Sequence, residues 1–164
     1  MNQIMKKEWE TEPDYMDGKF FGLPVFIRRH EDFKTLNGYV GVPDGNKYYE
    51  KDYDDLGDVD VEVHGGLTFA GGGTHKIFGY YWWFGFDCAH AFDYSPGRTQ
   101  MMEQAGMPTI TLRSLHANEV YRNMPYVQEQ CIQLAYQLSD HAELEYANTD
   151  FRLVENNKRI CNVG

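Results

Sequence analysis

Ile77-Phe78-Gly79-Tyr80-Tyr81-Trp82-Trp83-Phe84-Gly85-Phe86 is an almost unbroken aromatic run. Aromatic side chains suit a pleated, half-buried surface. The run is far shorter than the roughly 20 apolar residues of a membrane-spanning helix, so it reads as one long strand. Gly71-Gly72-Gly73 lies just before it. Upstream again, Val59-Asp60-Val61-Glu62-Val63 alternates apolar and acidic residues, the mark of a strand with one buried face. Two strands around a glycine loop predict a β-hairpin.

Working toward the N-terminus, Leu36-Asn37-Gly38-Tyr39-Val40-Gly41-Val42 is a second strand, stopped by the turn residues Pro43-Asp44-Gly45. Residues 19–27 read as a strand broken by Pro24, hence an edge or bulged one. Toward the C-terminus, Thr109-Ile110-Thr111-Leu112 is β-prone and residues 98–105 suit a short helix ending at Gly106. Residues 151–154 suit a last strand. The clearest helix begins at Pro125, a favoured first-turn residue. Val127, Cys131, Leu134 and Leu138 then recur at helical spacing to form one apolar face. The expected fold is α+β, a curved antiparallel β-sheet with one long C-terminal helix packed against it, in a single domain over residues 1–164.

Composition narrows the function classes. A chain of 164 residues can bury a core without disulfide staples, and 15% aromatic content argues for a folded protein. The formal charge of −10 argues against direct nucleic-acid binding, which needs a basic surface. Cys88, Cys131 and Cys161 are an odd number at irregular spacing and imply no disulfide framework. The charged start, residues 1–12, lacks the apolar core of a secretory signal, and no run approaches membrane-spanning length. The expected location is the cytoplasm.

Four candidate metal ligands lie within thirty residues. His64 sits in Val63-His64-Gly65-Gly66-Leu67-Thr68-Phe69, and Asp87, His90 and Asp93 follow the aromatic strand. Buried carboxylates and imidazoles cost stability unless something pairs with them. A divalent cation would pair with all four, and the donor set suits zinc, or manganese or iron with added water. In a helical turn after the strand, Asp87, His90 and Asp93 would line one side. Cys88 is a rival ligand, although in an extended segment it points away from Asp87, toward the side of Phe86. The competing arrangement is a buried polar network in which each histidine bonds an aspartate and no metal is present.

Other signals are weaker. Glu50, Asp52, Asp54, Asp55, Asp58, Asp60 and Glu62 form an acidic run that lacks the glycine of an EF-hand loop; it reads as a solvated face, or as a phosphate mimic aimed at a basic partner. Gly71-Gly72-Gly73-Thr74-His75-Lys76 lacks the spacing of a phosphate loop. Tyr80, Tyr81, Trp82 and Trp83 read as sheet core and rim. Ser95 lies in a turn without a nucleophile elbow, and His116 and His141 stand alone.

The segments Leu36-Asn37-Gly38-Tyr39-Val40-Gly41-Val42-Pro43, Val63-His64-Gly65-Gly66-Leu67-Thr68-Phe69 and Trp82-Trp83-Phe84-Gly85-Phe86-Asp87-Cys88-Ala89-His90-Ala91, with Asp93-Tyr94, resemble a widespread family of small phage and prophage proteins. The resemblance runs from about Leu36 to Leu138. It implies a phage context, hence the host-cell cytoplasm, more than a mechanism. Phe92 departs from it, because a small residue is expected there, and a phenyl ring would tighten packing beside the site.

Small, acidic, phage-encoded chains are similar in profile to anti-CRISPR inhibitors, some of which carry a structural zinc. The first functional expectation is therefore a metal-stabilised inhibitor that binds a basic host protein, with an RNA-guided nuclease as the model partner. The alternative is a metal-dependent hydrolase acting on a nucleotide or another phosphorylated small molecule, with Asp87 or Asp93 as base and Arg98 as the cationic clamp.

Overall fold

In the computed structural model, residues 5–57, 59–139 and 150–153 are described. A short helix α1 (Met5–Thr11) is followed by strands β1 (Tyr15–Phe20), β2 (Leu23–Arg29), β3 (Leu36–Val42), β4 (Phe69–His75) and β5 (Gly79–Asp87). Helices α2 (Pro96–Gln104), α3 (Thr109–Leu115) and α4 (Met124–Leu138) come next, then strand β6 (Asp150–Leu153). The strands form one open sheet in the order β4-β5-β3-β2-β1-β6, and every neighbouring pair is antiparallel. The expected α+β architecture is what the chain adopts. Among the described residues, no helix is long and apolar enough to cross a membrane.

Helix α4 starts at its N-cap Asn123, whose side chain accepts from the Tyr126 N–H, with Pro125 in the first turn. It buries Val127, Cys131, Leu134, Ala135 and Leu138 against Val25, Ile27, Leu36, Val40, Phe84 and Phe86 of the sheet and Cys88 just beyond it. The approach is closest at Gly38, where an added Cβ would collide with the Cys131 thiol and the Phe86 ring.

The opposite face of the sheet is also dry. Register places Asp17, Phe26, Tyr39 and Gly85 side by side across four strands. Phe26, Tyr39 and Trp83 form a second buried cluster, with Tyr15, Phe69, Phe78 and Tyr81 around it. The sheet curls far enough that His75, at the end of β4, is also enclosed there. Trp83 donates its indole N–H to the Gly73 carbonyl.

Several local expectations are corrected. The glycines 71–73 lie inside β4 rather than in a loop, and the chain turns at residues 76–78 instead. Lacking side chains, Gly71 and Gly72 leave room for the rings of Phe69 and Tyr80, which an added Cβ would meet. Residues 19–27 are two strands joined at Phe21-Gly22, both at positive φ, and β2 with Pro24 is an interior strand. Thr109-Ile110-Thr111-Leu112 begins helix α3, where tertiary packing of Leu112 overrides β propensity.

Residues 59–63 carry no regular structure and, among the described residues, pair with no strand. Their backbone is met by helix side chains: Gln137 Oε1 accepts from the Glu62 N–H at 2.8 Å, and Gln137 Nε2 donates to the Glu62 carbonyl at 2.7 Å. The alternation still operates, because Val61 and Val63 pack on the main core while Asp60 and Glu62 face solvent. His141, Cys161, Val154 and Asp58 lie outside the described residues.

Candidate functional site

Two chain segments converge at the N-terminal end of α4. After Val63 the chain reverses at Gly65-Gly66, both at positive φ. After β5 it makes a turn closed by the Asp93 N–H on the His90 carbonyl, and Asp93 then bridges Val120. Residues 88–93 are thus a turn rather than the expected helical one, and Asp87 and Asp93 point to different surroundings.

Asp93 is 1% exposed and has a full set of donors. His64 Nε2 lies 2.7 Å from Oδ2, the His90 N–H donates to the same oxygen at 3.1 Å, and Arg122 Nε donates to Oδ1 at 2.9 Å. Burial alone would raise the Asp93 pKa, but the bonds from His64, Arg122 and the His90 N–H outweigh it and hold the carboxyl below its usual value. An ionised carboxylate only accepts, which places the His64 proton on Nε2. In the neutral ring Nδ1 then accepts from the Tyr126 hydroxyl at 2.9 Å. The His64 N–H donates to Gln130 Oε1 at 2.8 Å. Tyr126, Gln130 and Gln137 share one stripe of α4, and this stripe fixes residues 62–64.

The second pair is looser. Asp87 accepts from the Thr68 hydroxyl and from the Ala89 N–H, each at 3.0 Å. His90 Nε2 stands 3.5 Å from Asp87 Oδ1 and, although buried, has no hydrogen-bond partner among the described residues. The His90 ring lies over Gly65, where a Cβ would collide with it, and meets the His64 ring edge-on at 5.8 Å. About a third of each side chain of this second pair is exposed.

The arrangement brings His64, His90 and Asp93 together and sets Asp87 at the rim. As they stand, these groups do not fit a closed zinc centre. Both ring nitrogens of His64 and both oxygens of Asp93 are already bonded, and the Arg122 guanidinium already supplies Asp93 with a cationic partner. Among the described residues, no three His, Cys, Asp or Glu side chains converge to hold a metal ion. His64 bonds Asp93, as in the polar network weighed against the metal, with Arg122 supplying a positive charge, whereas His90 makes no hydrogen bond to Asp87.

Cys88 faces the core beside Phe86, as expected for the strand alternation. Burial raises its thiol pKa, with Asp93 and Asp87 adding to the effect, so it is neither a ready ligand nor a ready nucleophile. Arg98 pairs with Glu119, which also bonds the buried His116, and takes no part in the cluster. Ser95 caps α2 through the Arg98 N–H. Phe92 is 67% exposed at φ +70°, so its ring does not tighten the site, and its left-handed backbone explains why a small residue suits that position.

Arg122 and Tyr126 escaped the sequence reading. A buried Asp93 demanded a cation, but Arg98 was nearer in sequence. The signal for Tyr126 was its place, with Gln130 and Gln137, on the flank of the apolar face of α4. Comparison with family models, with curated proteins and with solved structures finds no match to this chain.

Proposed function

We propose that this protein is a phage-type binding module that inhibits a host defence effector, its acidic loop engaging a basic protein such as an RNA-guided nuclease in the host cytoplasm. The observation that carries the reading is the loop itself. Glu50, Asp52, Asp54, Asp55, Asp60 and Glu62 are all exposed on a segment without regular structure, and Gln137 clamps its end to α4. A dense row of carboxylates on an anchored segment resembles a phosphate backbone in potential and steers association with a basic surface.

The test is association with a purified RNA-guided nuclease, measured at low and high salt. Asp54→Asn/Asp55→Asn/Asp60→Asn should slow association and weaken inhibition of DNA cleavage without changing thermal stability. Unchanged kinetics at low salt would refute the electrostatic role.

The hydrolase alternative draws on one feature, the Nε2 of His90 beside Asp87, which has no hydrogen-bond partner among the described residues, on a side chain about a third exposed. A general base must have such a free nitrogen. Turnover of phosphorylated nucleotides that disappears in His90→Gln, with the acidic loop intact, would favour this reading over binding.

A further inference from the structure

The segment that carries the carboxylates also encloses a cavity of about 430 Å³. That volume falls within the roughly 300–1,000 Å³ of ligand pockets. Its inner wall is apolar. Leu56, Val61 and Leu67 line it and pack against the main core, which fixes the floor. Tyr53 and Val59, 42% and 43% exposed, form further walls. Asp54 and Asp60 complete the lining, both exposed. The segment is tethered at each end. Trp82 Nε1 donates to the Lys51 carbonyl at 2.8 Å, and Gln137 holds Glu62. The pocket is therefore formed before anything enters it.

Two carboxylates beside an apolar floor, with no Lys, Arg or His among the lining residues, call for an occupant of the opposite build. The long basic side chains have it, an apolar stem and a cationic head. An ammonium is compact and strongly hydrated. A guanidinium is planar and weakly hydrated, and it stacks on an aromatic ring while pairing with a carboxylate. Tyr53 and its neighbour Asp54 supply both groups. We infer that this pocket receives an arginine side chain of the basic partner, its stem on Leu56 and Val61 and its guanidinium between Tyr53 and the two carboxylates. The inference rests on the proposed acidic-loop contact and deepens it. Long-range charge brings the partner in, and the pocket supplies the short-range contact that holds it.

Titration of the isotope-labelled full chain with tetra-arginine and, separately, with tetralysine tests this by nuclear magnetic resonance. Tetra-arginine should shift the amide signals of Tyr53, Leu56, Val61 and Leu67 saturably. It should also bind more tightly than tetralysine, whose side chains carry the same charge. Tyr53→Ser/Val59→Ser keeps every carboxylate and alters only exposed positions, so its melting curve should be unchanged. Tetra-arginine should bind this variant about tenfold more weakly. Equal binding of the two peptides would overturn the inference, as would undiminished affinity in the double variant or shifts that lie away from the pocket. The two readings fail separately. A nuclease that associates equally well with Tyr53→Ser/Val59→Ser refutes the pocket and leaves the electrostatic steering in place. Tetra-arginine binding in the pocket without nuclease association refutes the nuclease as partner and leaves the arginine site.

Discussion

His75 Nε2 and the Tyr15 hydroxyl lie 2.6 Å apart, although the residues are 60 positions apart and their strands are separated by three others. The bond closes the curl of the sheet over Phe26 and Trp83, whose rings lie 5.2 and 5.7 Å from the imidazole. The Ile77 N–H donates to Nδ1, so the proton sits on Nε2 and the ring is neutral.

This neutrality makes stability depend on pH. Burial lowers the His75 pKa below its usual 6.5, and the opposing pull of Asp17 does not cancel the effect. The unfolded chain therefore takes up a proton that the folded chain refuses. The stabilisation is complete above about pH 6.5 and is lost as pH falls below it. Urea midpoints across this range should decline toward acid, and the slope should flatten in His75→Gln. An equal slope in the variant would contradict the assignment.

Asp93 sets a second, lower step. Its folded pKa is depressed, so its contribution is present above the unfolded value and disappears as pH falls through the folded one. Arg122→Ala should shift this step upward. Removing one partner of a buried ion pair usually costs roughly 3–5 kcal/mol. The remaining bonds from His64 and the His90 N–H bring the expected loss toward the lower end.

Metal removal discriminates between network and cage. With Arg122 on Asp93, purified protein should carry no stoichiometric zinc, manganese or iron, and chelation should leave its melting temperature unchanged. One metal per chain, with a large loss of stability on chelation, would restore a structural centre at His64, Asp87, His90 and Asp93.

Leu134→Ala should cost about 2–5 kcal/mol, the usual loss for a buried large-to-small change. Leu134 is fully buried between α4 and the sheet. A loss of a few tenths in chemical denaturation would mean that the helix face is not part of the core.

Phe92→Gly should raise stability. A left-handed backbone costs a bulky residue about 1–2 kcal/mol, and glycine returns roughly 0.5–1 kcal/mol of that as entropy of the unfolded chain. Denaturant unfolding of the variant beside the parent chain measures the gain, and a loss of stability would contradict it.

Much of the fold was legible because periodicity reports burial directly. Residues 36–42 read correctly because turn residues bound a short run that the sheet buries on both faces, and the apolar face of α4 because it is buried at helical spacing. The glycine-rich strand misled because its place comes from pairing with β5 and from the rings of Phe69 and Tyr80, which fill the space of side chains at Gly71 and Gly72, not from local propensity. In the candidate site, the clustering of His64, His90 and Asp93 was visible. Their partners Arg122 and Tyr126 were not, because only the folded chain brings the start of α4 back to the end of β5.

The glutamine clamp has a consequence for how the molecule opens. The amides of Glu62 and His64 are bonded to Gln137 and Gln130 side chains rather than to a ladder. Their hydrogen exchange should follow rotation of two glutamine side chains, while amides in β3 and β5 wait for cooperative opening of the sheet. Rotation of these two side chains frees the backbone of residues 62–64 while Val61 and Val63 stay packed on the core, so the end of the acidic loop loosens without leaving the fold.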